Sequence, residues 1–375
     1  MKYYLIAGEA SGDLHGANLM RALREQDPDA QFRFWGGDAM TAIGGTPVRH
    51  IRDLAIMGFV EVVAHLDTVL GNIRFCKQDI LAFQPDVVVG IDYPGFNLKI
   101  EAWAHQQGFK TAHYISPNLW AWKKGRIKGM KKSLDLLCYI LPFEERFFAE
   151  NNMPQALYVG HPLLDAINNQ NIQSIPNNQI TQKNSPKPII ALLPGSRRQE
   201  LKMNLPLMVQ LADRHPEYRF IVAGMSLIGK DFYDTLITKQ SHNLEVVYDQ
   251  TYPLLASAYA AVVCSGTATL ETALFNVPQV VCYRANPISV AIARLIVSRR
   301  IKYISLVNLI ADQPIVTELI QGDFNATRLE QEFQRITTDD ANRNRMFTQY
   351  AYMRNLLAGT GASQRTAQAI LDLIK

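Results

Sequence analysis

No stretch of this 375-residue chain approaches the roughly 20 consecutive apolar residues that a membrane span needs, so no integral membrane protein is expected. Cysteine is scarce as well. Cys76, Cys138, Cys264 and Cys282 stand far apart in apolar stretches and form no CxxC pair, which argues against a zinc or redox centre. They read as reduced core thiols of a cytoplasmic protein. The opening residues, MKYYLIAGEASGD, turn polar before a signal-peptide core can form, so export is not expected. Excess charge is small too: the net +4 is too little, without a concentrated stripe, to suggest nucleic acid as a partner. There is no internal repeat and no low-complexity tract.

What is present is globular: 48% hydrophobic, 19% charged, with a mean hydropathy near zero. The length exceeds what one core usually fills, which points to two domains. β-rich runs at 2–7, 31–35, 86–91, 111–115 and 136–140 alternate with helical patterns such as 16–26 and 69–83. Such alternation predicts an α/β, doubly wound parallel sheet. From 167 to 188 the chain turns rich in Asn, Gln, Ser and Pro and loses periodicity, as a linker or surface insertion does. A second alternation follows at 189–193, 219–223, 244–248, 261–264 and 279–282, and 325–375 reads as helical throughout. The expected organisation is a Rossmann-like domain over 1–165, a linker over 166–188, a second Rossmann-like domain over 189–345, and helices over 346–375 that cross back.

Two turns in the second half, 192–200 (LLPGSRRQE) and 265–271 (SGTATLE), each follow a strand and open a helix. Small residues let backbone N–H groups approach an anion at a helix N-terminus, where the dipole adds partial positive charge. Gly195, Ser196, Ser265, Gly266, Thr267, Ala268 and Thr269 would line such cradles, and Arg197 adds a full charge. Two cradles suggest a diphosphate, hence a nucleotide-linked substrate. In the first half, Asp92 ends a nearly uncharged strand, where a carboxylate is costly unless exposed in a cleft or hydrogen bonded; Asn97 is placed to orient it. Closing a turn with Pro94 and Gly95 is the bland role for Asp92. Gly8–Asp13 (GEASGD) ends the first strand, where Ser11 or Asp13 can simply cap the next helix. The functional reading puts Ser11, Gly12, Asp13, His15, Asn97 and Ser116 on the acceptor side of the cleft, His15 as a base or phosphate donor.

Residues 111–122 (TAHYISPNLWAW) run into Lys123, Lys124, Arg126, Lys128, Lys131 and Lys132, and 56–70 (IMGFVEVVAHLDTVL) is more apolar than one buried helical stripe needs. Met57, Phe59, Val62, Val63, Leu66, Val69 and Leu70 with those cations form a greasy, basic rim suited to a lipid at a membrane surface, extended by Arg294, Arg299, Arg300 and Lys302.

Nine segments in order, GEASGD at Gly8, MGFVEV at Met57, GID at Gly90, YISPNLWAW at Tyr114, LPFE at Leu141, GHPL at Gly160, LLPGSR at Leu192, SGTATLE at Ser265 and SLVNLI at Ser305, span the chain. Together they resemble the lipid-A-disaccharide synthase family, membrane-peripheral glycosyltransferases of the GT-B fold. Many relatives carry an acidic residue where Gly95 stands and Pro where Val307 stands, so Asp92 is the only carboxylate of its turn here. The resemblance implies two Rossmann-like domains facing a central cleft and helices packing across both. It implies inverting transfer of 2,3-diacylglucosamine from its UDP derivative to 2,3-diacylglucosamine 1-phosphate (lipid X), giving a β-1,6-linked disaccharide 1-phosphate and UDP. Asp92 would take the proton of the acceptor hydroxyl, at an ordinary carboxylate pKa of about 4. Arg197 with the N–H groups of Ser196, Gly266 and Thr267 would steady the leaving diphosphate. No DxD pair stands beside them, so no metal and no cofactor are expected. Glu271 would reach the ribose hydroxyls, with Tyr283 and Asn308 as further cleft residues. Arg126 and Lys128 are candidates for the acceptor phosphate. The implied place is the inner face of the inner membrane, and a homodimer is allowed, since relatives exchange carboxyl-terminal segments. The same architecture also hosts UDP-sugar 2-epimerases, and a nucleotide-sugar sensor would keep the cradles without needing Asp92.

Overall fold

The computed structural model describes residues 1–54, 66–120, 125–169, 187–237, 242–285 and 302–375, which form two compact units. The first unit, Met1–Asn169 with Leu357–Lys375, carries a sheet of seven strands. These are β1 (Lys2–Ala7), β2 (Gln31–Gly36), β3 (Thr46–His50), β4 (Val87–Ile91), β5 (Lys110–Tyr114), β6 (Leu136–Tyr139) and β7 (Ala156–Tyr158). All pair in parallel, in the order β3-β2-β1-β4-β5-β6-β7. The second unit, Gln170–Leu356, carries β8 (Ile189–Leu193), β9 (Arg219–Gly224), β10 (Leu244–Tyr248), β11 (Ala260–Cys264), β12 (Gln279–Tyr283) and β13 (Thr317–Ile320). Its order is β10-β9-β8-β11-β12-β13, also parallel.

Helices on both faces explain the strand composition. A strand covered on both sides needs apolar residues throughout, and Tyr3 to Ala7 of β1 and all of β4 are buried. One face of the first sheet packs Tyr4, Ile6, Trp35 and Val88 against Cys76 and Ile80 of the helix Leu66–Phe83 and against Phe96, Ile100 and Ala104 of the helix Pro94–Gln106. At roughly 25 cal/mol per Å² of apolar area, this layer supplies the main drive for folding the unit. All four cysteines are buried free thiols, and burial pushes Cys138 and Cys264 up to about 12.

The chain leaves the second unit at Leu356, not at 345. The helix Asp340–Asn355 buries Met346, Tyr350 and Met353, and Gln279 Nε2 donates to the Tyr350 hydroxyl at 3.4 Å, so that helix belongs to the second core. Only the helix Ala362–Ile374 belongs to the first unit, tied by Asp165: its carboxylate accepts from the N–H groups of Gly361 (2.6 Å) and Ser363 (2.8 Å). The helical pattern of 325–375 is thus three helices, separated at Asp339 and around Gly359 and Gly361, both at positive φ. Among the described residues no helix is long and apolar enough to cross a membrane.

Each order reverses direction once, between β1 and β4 and between β8 and β11. Ligands of open α/β sheets bind outside the carboxyl ends of the strands at such a reversal. The turns singled out by sequence, 8–13 with 90–95 and 192–200 with 265–271, follow these four strands.

Candidate active site

In the first crevice Gly8 has no alternative: a Cβ there would lie 2.4 Å from the Tyr93 ring. Asp92 continues the β4–β5 pairing by donating its N–H to Tyr114 O at 2.8 Å, then the chain turns sharply. Asp92 and Tyr93 both hold left-handed backbone, φ +47° and +50°, at a cost of about 1–2 kcal/mol for a residue with a side chain. Pro94 then opens the helix Pro94–Gln106 at its first position, where a missing N–H loses nothing. Asp92 is half-buried, and burial raises its pKa, against the charge of His113 and a hydrogen bond from the Tyr93 backbone. It therefore departs from the ordinary carboxylate value expected from sequence.

The neighbours of Asp92 differ from expectation. Asn97 is fully buried and does not orient the carboxylate; its Nδ2 donates to the backbone carbonyls of Asp92 (2.7 Å), Ile6 (3.1 Å) and Ile91 (3.4 Å). Asp13 caps a different helix from the one it sits in: it accepts from the N–H groups of Gly37 (2.6 Å), Ala39 (2.9 Å) and Met40 (3.1 Å) at the start of Asp38–Ile43. The helix Ala10–Gln26 begins after Glu9 without a side-chain cap, and Ser11 in its first turn is exposed. Gly12 is buried, with room for a Cβ only 3.3 Å from that of Ala7. His15 is buried rather than open to a cleft: burial lowers it to about 4, partly offset by Asp165, and His161 is lowered to about 3 by burial and by His15. Ser116 is buried, its hydroxyl donating to Pro117 O at 3.1 Å.

In the second crevice Gly195 adopts φ +121°, and a Cβ there would meet Glu200 Oε2 at 2.5 Å. Glu200 sits three residues into the capping box of the helix Arg198–Arg214; its Oε2 accepts from the N–H groups of Ser196 (2.9 Å) and Arg197 (3.3 Å). The Ser196 donor expected on the diphosphate is thus already held by a carboxylate, which sequence reasoning overlooked although the S-x-x-x-E spacing carried it. Arg197 stays exposed, its Nη1 3.7 Å from Glu200 Oε1. Asn204 joins the two turns, donating to Pro194 O and Cys264 Sγ, each at 3.3 Å.

Across the reversal, Gly266 precedes the helix Thr267–Leu274, which has no side-chain cap, and among the described residues nothing lies within 4 Å of where its Cβ would be. Gly266 and Thr267 are exposed and Ala268 is half-buried. Two neighbours are committed elsewhere: Ser265 Oγ donates to Ile304 O at 3.0 Å, and buried Thr269 Oγ1 to Gly266 O at 2.8 Å. Glu271 is half-buried, its pKa raised by burial, and accepts from the Tyr252 hydroxyl at 3.0 Å, a partner the sequence did not announce. Tyr283 is half-buried and feels both Glu200 and Arg197. Asn308 is buried and spent: Oδ1 accepts from Val316 N (3.0 Å), while Nδ2 donates to Val316 O and Glu318 Oε1, both at 2.9 Å. It braces the entry to β13 and cannot also contact a ligand without breaking that brace.

With this geometry in hand, comparison with known proteins is decisive. A family model described as Lipid-A-disaccharide synthetase matches residues 3–373. The chain belongs to the lipid-A-disaccharide synthase family. It is 37% identical over 378 residues to the lipid-A-disaccharide synthase of Alcanivorax borkumensis, covering 99% of this chain and 97% of that one. To that of Chromohalobacter salexigens it is 36% identical over 380 residues, covering 100% and 97%. Among solved structures it is similar to a UDP-GlcNAc 2-epimerase from Neisseria meningitidis bound to UDP-GlcNAc (TM-score 0.67, 12% identity, 99% of each chain) and to an S. aureus MnaA-UDP co-structure (TM-score 0.67, 15% identity, 99% and 97%). At that identity the likeness is one of fold, two Rossmann-like α/β units of the GT-B type. The epimerases share the scaffold, while sequence along the whole chain places the protein with the synthases.

Some synthase-like features lie outside the described residues: Met57, Phe59, Val62, Val63, Trp122, Lys123, Lys124, Arg294, Arg299 and Arg300. Leu66 opens the helix Leu66–Phe83, in which Val69 is half-buried and Leu70 is 53% exposed. Lys128 is exposed and Arg126 half-buried on the helix Arg126–Ser133. Among the described residues no three His, Cys, Asp or Glu side chains are grouped to hold a metal ion.

Asp13→Ala will strip three N–H groups of their acceptor and cost about 2 kcal/mol, a fall of roughly 5 °C in melting of the first unit by calorimetry. Buried His15 and His161 also make the fold acid-sensitive. Their folded values, about 4 and about 3, lie below the ordinary 6.5, so between those values the unfolded chain binds protons that the folded chain does not. Stability therefore falls as pH drops below about 6.5, and replacing both by Gln will flatten that limb in denaturation midpoints measured from pH 7 to 4.

Proposed function

We propose that the chain is an inverting glycosyltransferase that moves 2,3-diacylglucosamine from its UDP derivative to the 6-hydroxyl of 2,3-diacylglucosamine 1-phosphate, giving the β-1,6-linked disaccharide 1-phosphate and UDP. What carries this reading is family membership over 3–373 combined with a strained carboxylate, Asp92, at the strand-order reversal of the first sheet. Asp92 accepts the hydroxyl proton as oxygen attacks the anomeric carbon. A carboxylate raised by burial is a stronger base than an ordinary one, and the strained turn holds it at the strand end. The leaving diphosphate gathers charge that Arg197 and the first-turn N–H groups after Gly266 compensate, with no metal required. Glu271, steadied by Tyr252, reads the ribose hydroxyls. Ser265, Thr269 and Asn308 spend their side chains on local hydrogen bonds that shape these turns, and Ser196 gives its backbone N–H to Glu200.

Lipid substrates call for an enzyme that works at a membrane, and exposed Leu70 with exposed Lys128, Lys131 and Lys132 supports peripheral docking on an anionic inner leaflet.

Purified protein incubated with both substrates in EDTA will release UDP and disaccharide phosphate, and Asp92→Asn will lose about 10³-fold in rate while UDP affinity by calorimetry stays within twofold. An Asp92→Asn enzyme that still turns over would rule out the assigned base, and epimerised UDP-sugar without disaccharide would favour the other class that shares this fold. For docking, Leu70→Glu combined with Lys128→Glu will lower co-sedimentation with anionic vesicles at least about fivefold; unaltered binding would sink the membrane assignment.

A further inference from the structure

Behind Asp92 the first sheet hides an ion pair that neither packing nor the transfer mechanism accounts for. His113 of β5 stands in register opposite Gly90 of β4, and Ile91 opposite Tyr114. His113 Nδ1 lies 2.7 Å from Glu101 Oε1 of the helix Pro94–Gln106, and both side chains are fully buried. Gly90 is what admits the pair: a Cβ there would lie 2.0 Å from Glu101 Oε1. The second atom of each group, His113 Nε2 and Glu101 Oε2, is buried without a hydrogen-bond partner among the described residues. The surrounding layer is apolar, with Tyr4, Ile6, Val88, Ile100 and Ala104. In such a layer an incompletely satisfied ion pair is a poor stabiliser, since apolar residues of similar volume do as well or better.

Its position explains it. Asp92 follows β4 two residues after Gly90, on the same face, and its N–H donates to the carbonyl of Tyr114, next to His113, which brings carboxylate and imidazole within electrostatic reach. We propose that Glu101 and His113 act as a positioning pair for Asp92, holding a fixed positive charge behind the carboxylate so that it enters the reaction ionised at neutral pH. Glu101 keeps the imidazole protonated where burial alone would strip it: burial opposes the charge, but Glu101 and then Asp92 raise the pKa of His113 above its ordinary value. The groups that face His113 are Glu101 from the helix and Asp92 from the turn after β4; on β6 the residue in register with it is Leu137. From the helix Ala362–Ile374, also packed on β5, uncharged Ser363 and Thr366 approach Tyr114 instead.

The inference rests on Asp92 being the base. In a pH profile of kcat/KM for disaccharide formation, His113→Gln and Glu101→Gln will each move the acid limb up by about one pH unit, because the carboxylate then holds its proton to higher pH. A lower rate with an unmoved limb would mean the pair is structural only. Should either variant fail to fold, the reciprocal effect is read without touching the pair: nitrogen NMR of the imidazoles in wild type and Asp92→Asn. Loss of the Asp92 charge will make His113 release its proton at lower pH, and an unchanged titration overturns the proposal. These failures differ from failure of the assigned reaction, which shows as Asp92→Asn retaining turnover.

Discussion

The Asn97 side-chain amide is the fastening on which the first crevice depends. One Nδ2 reaches the carbonyls of Ile6, Ile91 and Asp92, so a single buried group closes the ends of β1 and β4 where the strand order reverses. A buried strand-end carbonyl left without a donor costs about 1–3 kcal/mol. Beyond Ile91 the chain passes through two left-handed residues in succession, Asp92 and Tyr93. The Tyr93 ring then covers Gly8, tying the turn after β4 to the turn after β1. A strained carboxylate at a strand end is the outcome of this packing, not an isolated choice at one position.

The second unit solves the same problem with the same residue type. Asn204 reaches Pro194 O after β8 and Cys264 Sγ at the end of β11, again bridging the strands on either side of the reversal. It differs in what it leaves open. After β4 the turn is closed over by aromatic packing, while at Gly266 no described residue comes within 4 Å of a Cβ and the helix Thr267–Leu274 has no side-chain cap. The turn at Gly195 is intermediate, because Glu200 supplies an internal anion to the Ser196 and Arg197 donors. The exposed Arg197 guanidinium lies 3.7 Å from that carboxylate.

Legibility in the sequence followed burial. The central strands β1, β4, β8 and β11 are continuous apolar runs because they are covered on both faces, and their positions could be read to within a residue or so. β3 (TPVRH), β7 (ALY) and β13 (TELI) lie at sheet edges, are only partly buried and show no run that periodicity can detect. The site was legible as turn chemistry: glycine and small residues after a strand mark the reversal points. What those residues do there was less so. Asp13, Asn97, Thr269 and Asn308 have the polar character of ligand contacts but are consumed by backbone groups far along the chain or across a turn. A motif records that a polar atom is needed, and only the fold tells which partner needs it.

Glu101 and His113 show the converse. Each sits inside a helical or strand pattern that looks ordinary, and Gly90 reads as part of a GID motif. Their meaning appears only when β4 and β5 are set in register and the helix Pro94–Gln106 is laid over them, which brings a carboxylate into the volume that a Cβ at 90 would fill. The sheet gives up apolar contact and leaves two polar atoms unpaired to accommodate this arrangement. A protein with stability of only about 5–15 kcal/mol carries such a defect most readily where charge placement alters chemistry, and the other carboxylate that acts on His113 is the strained one after β4.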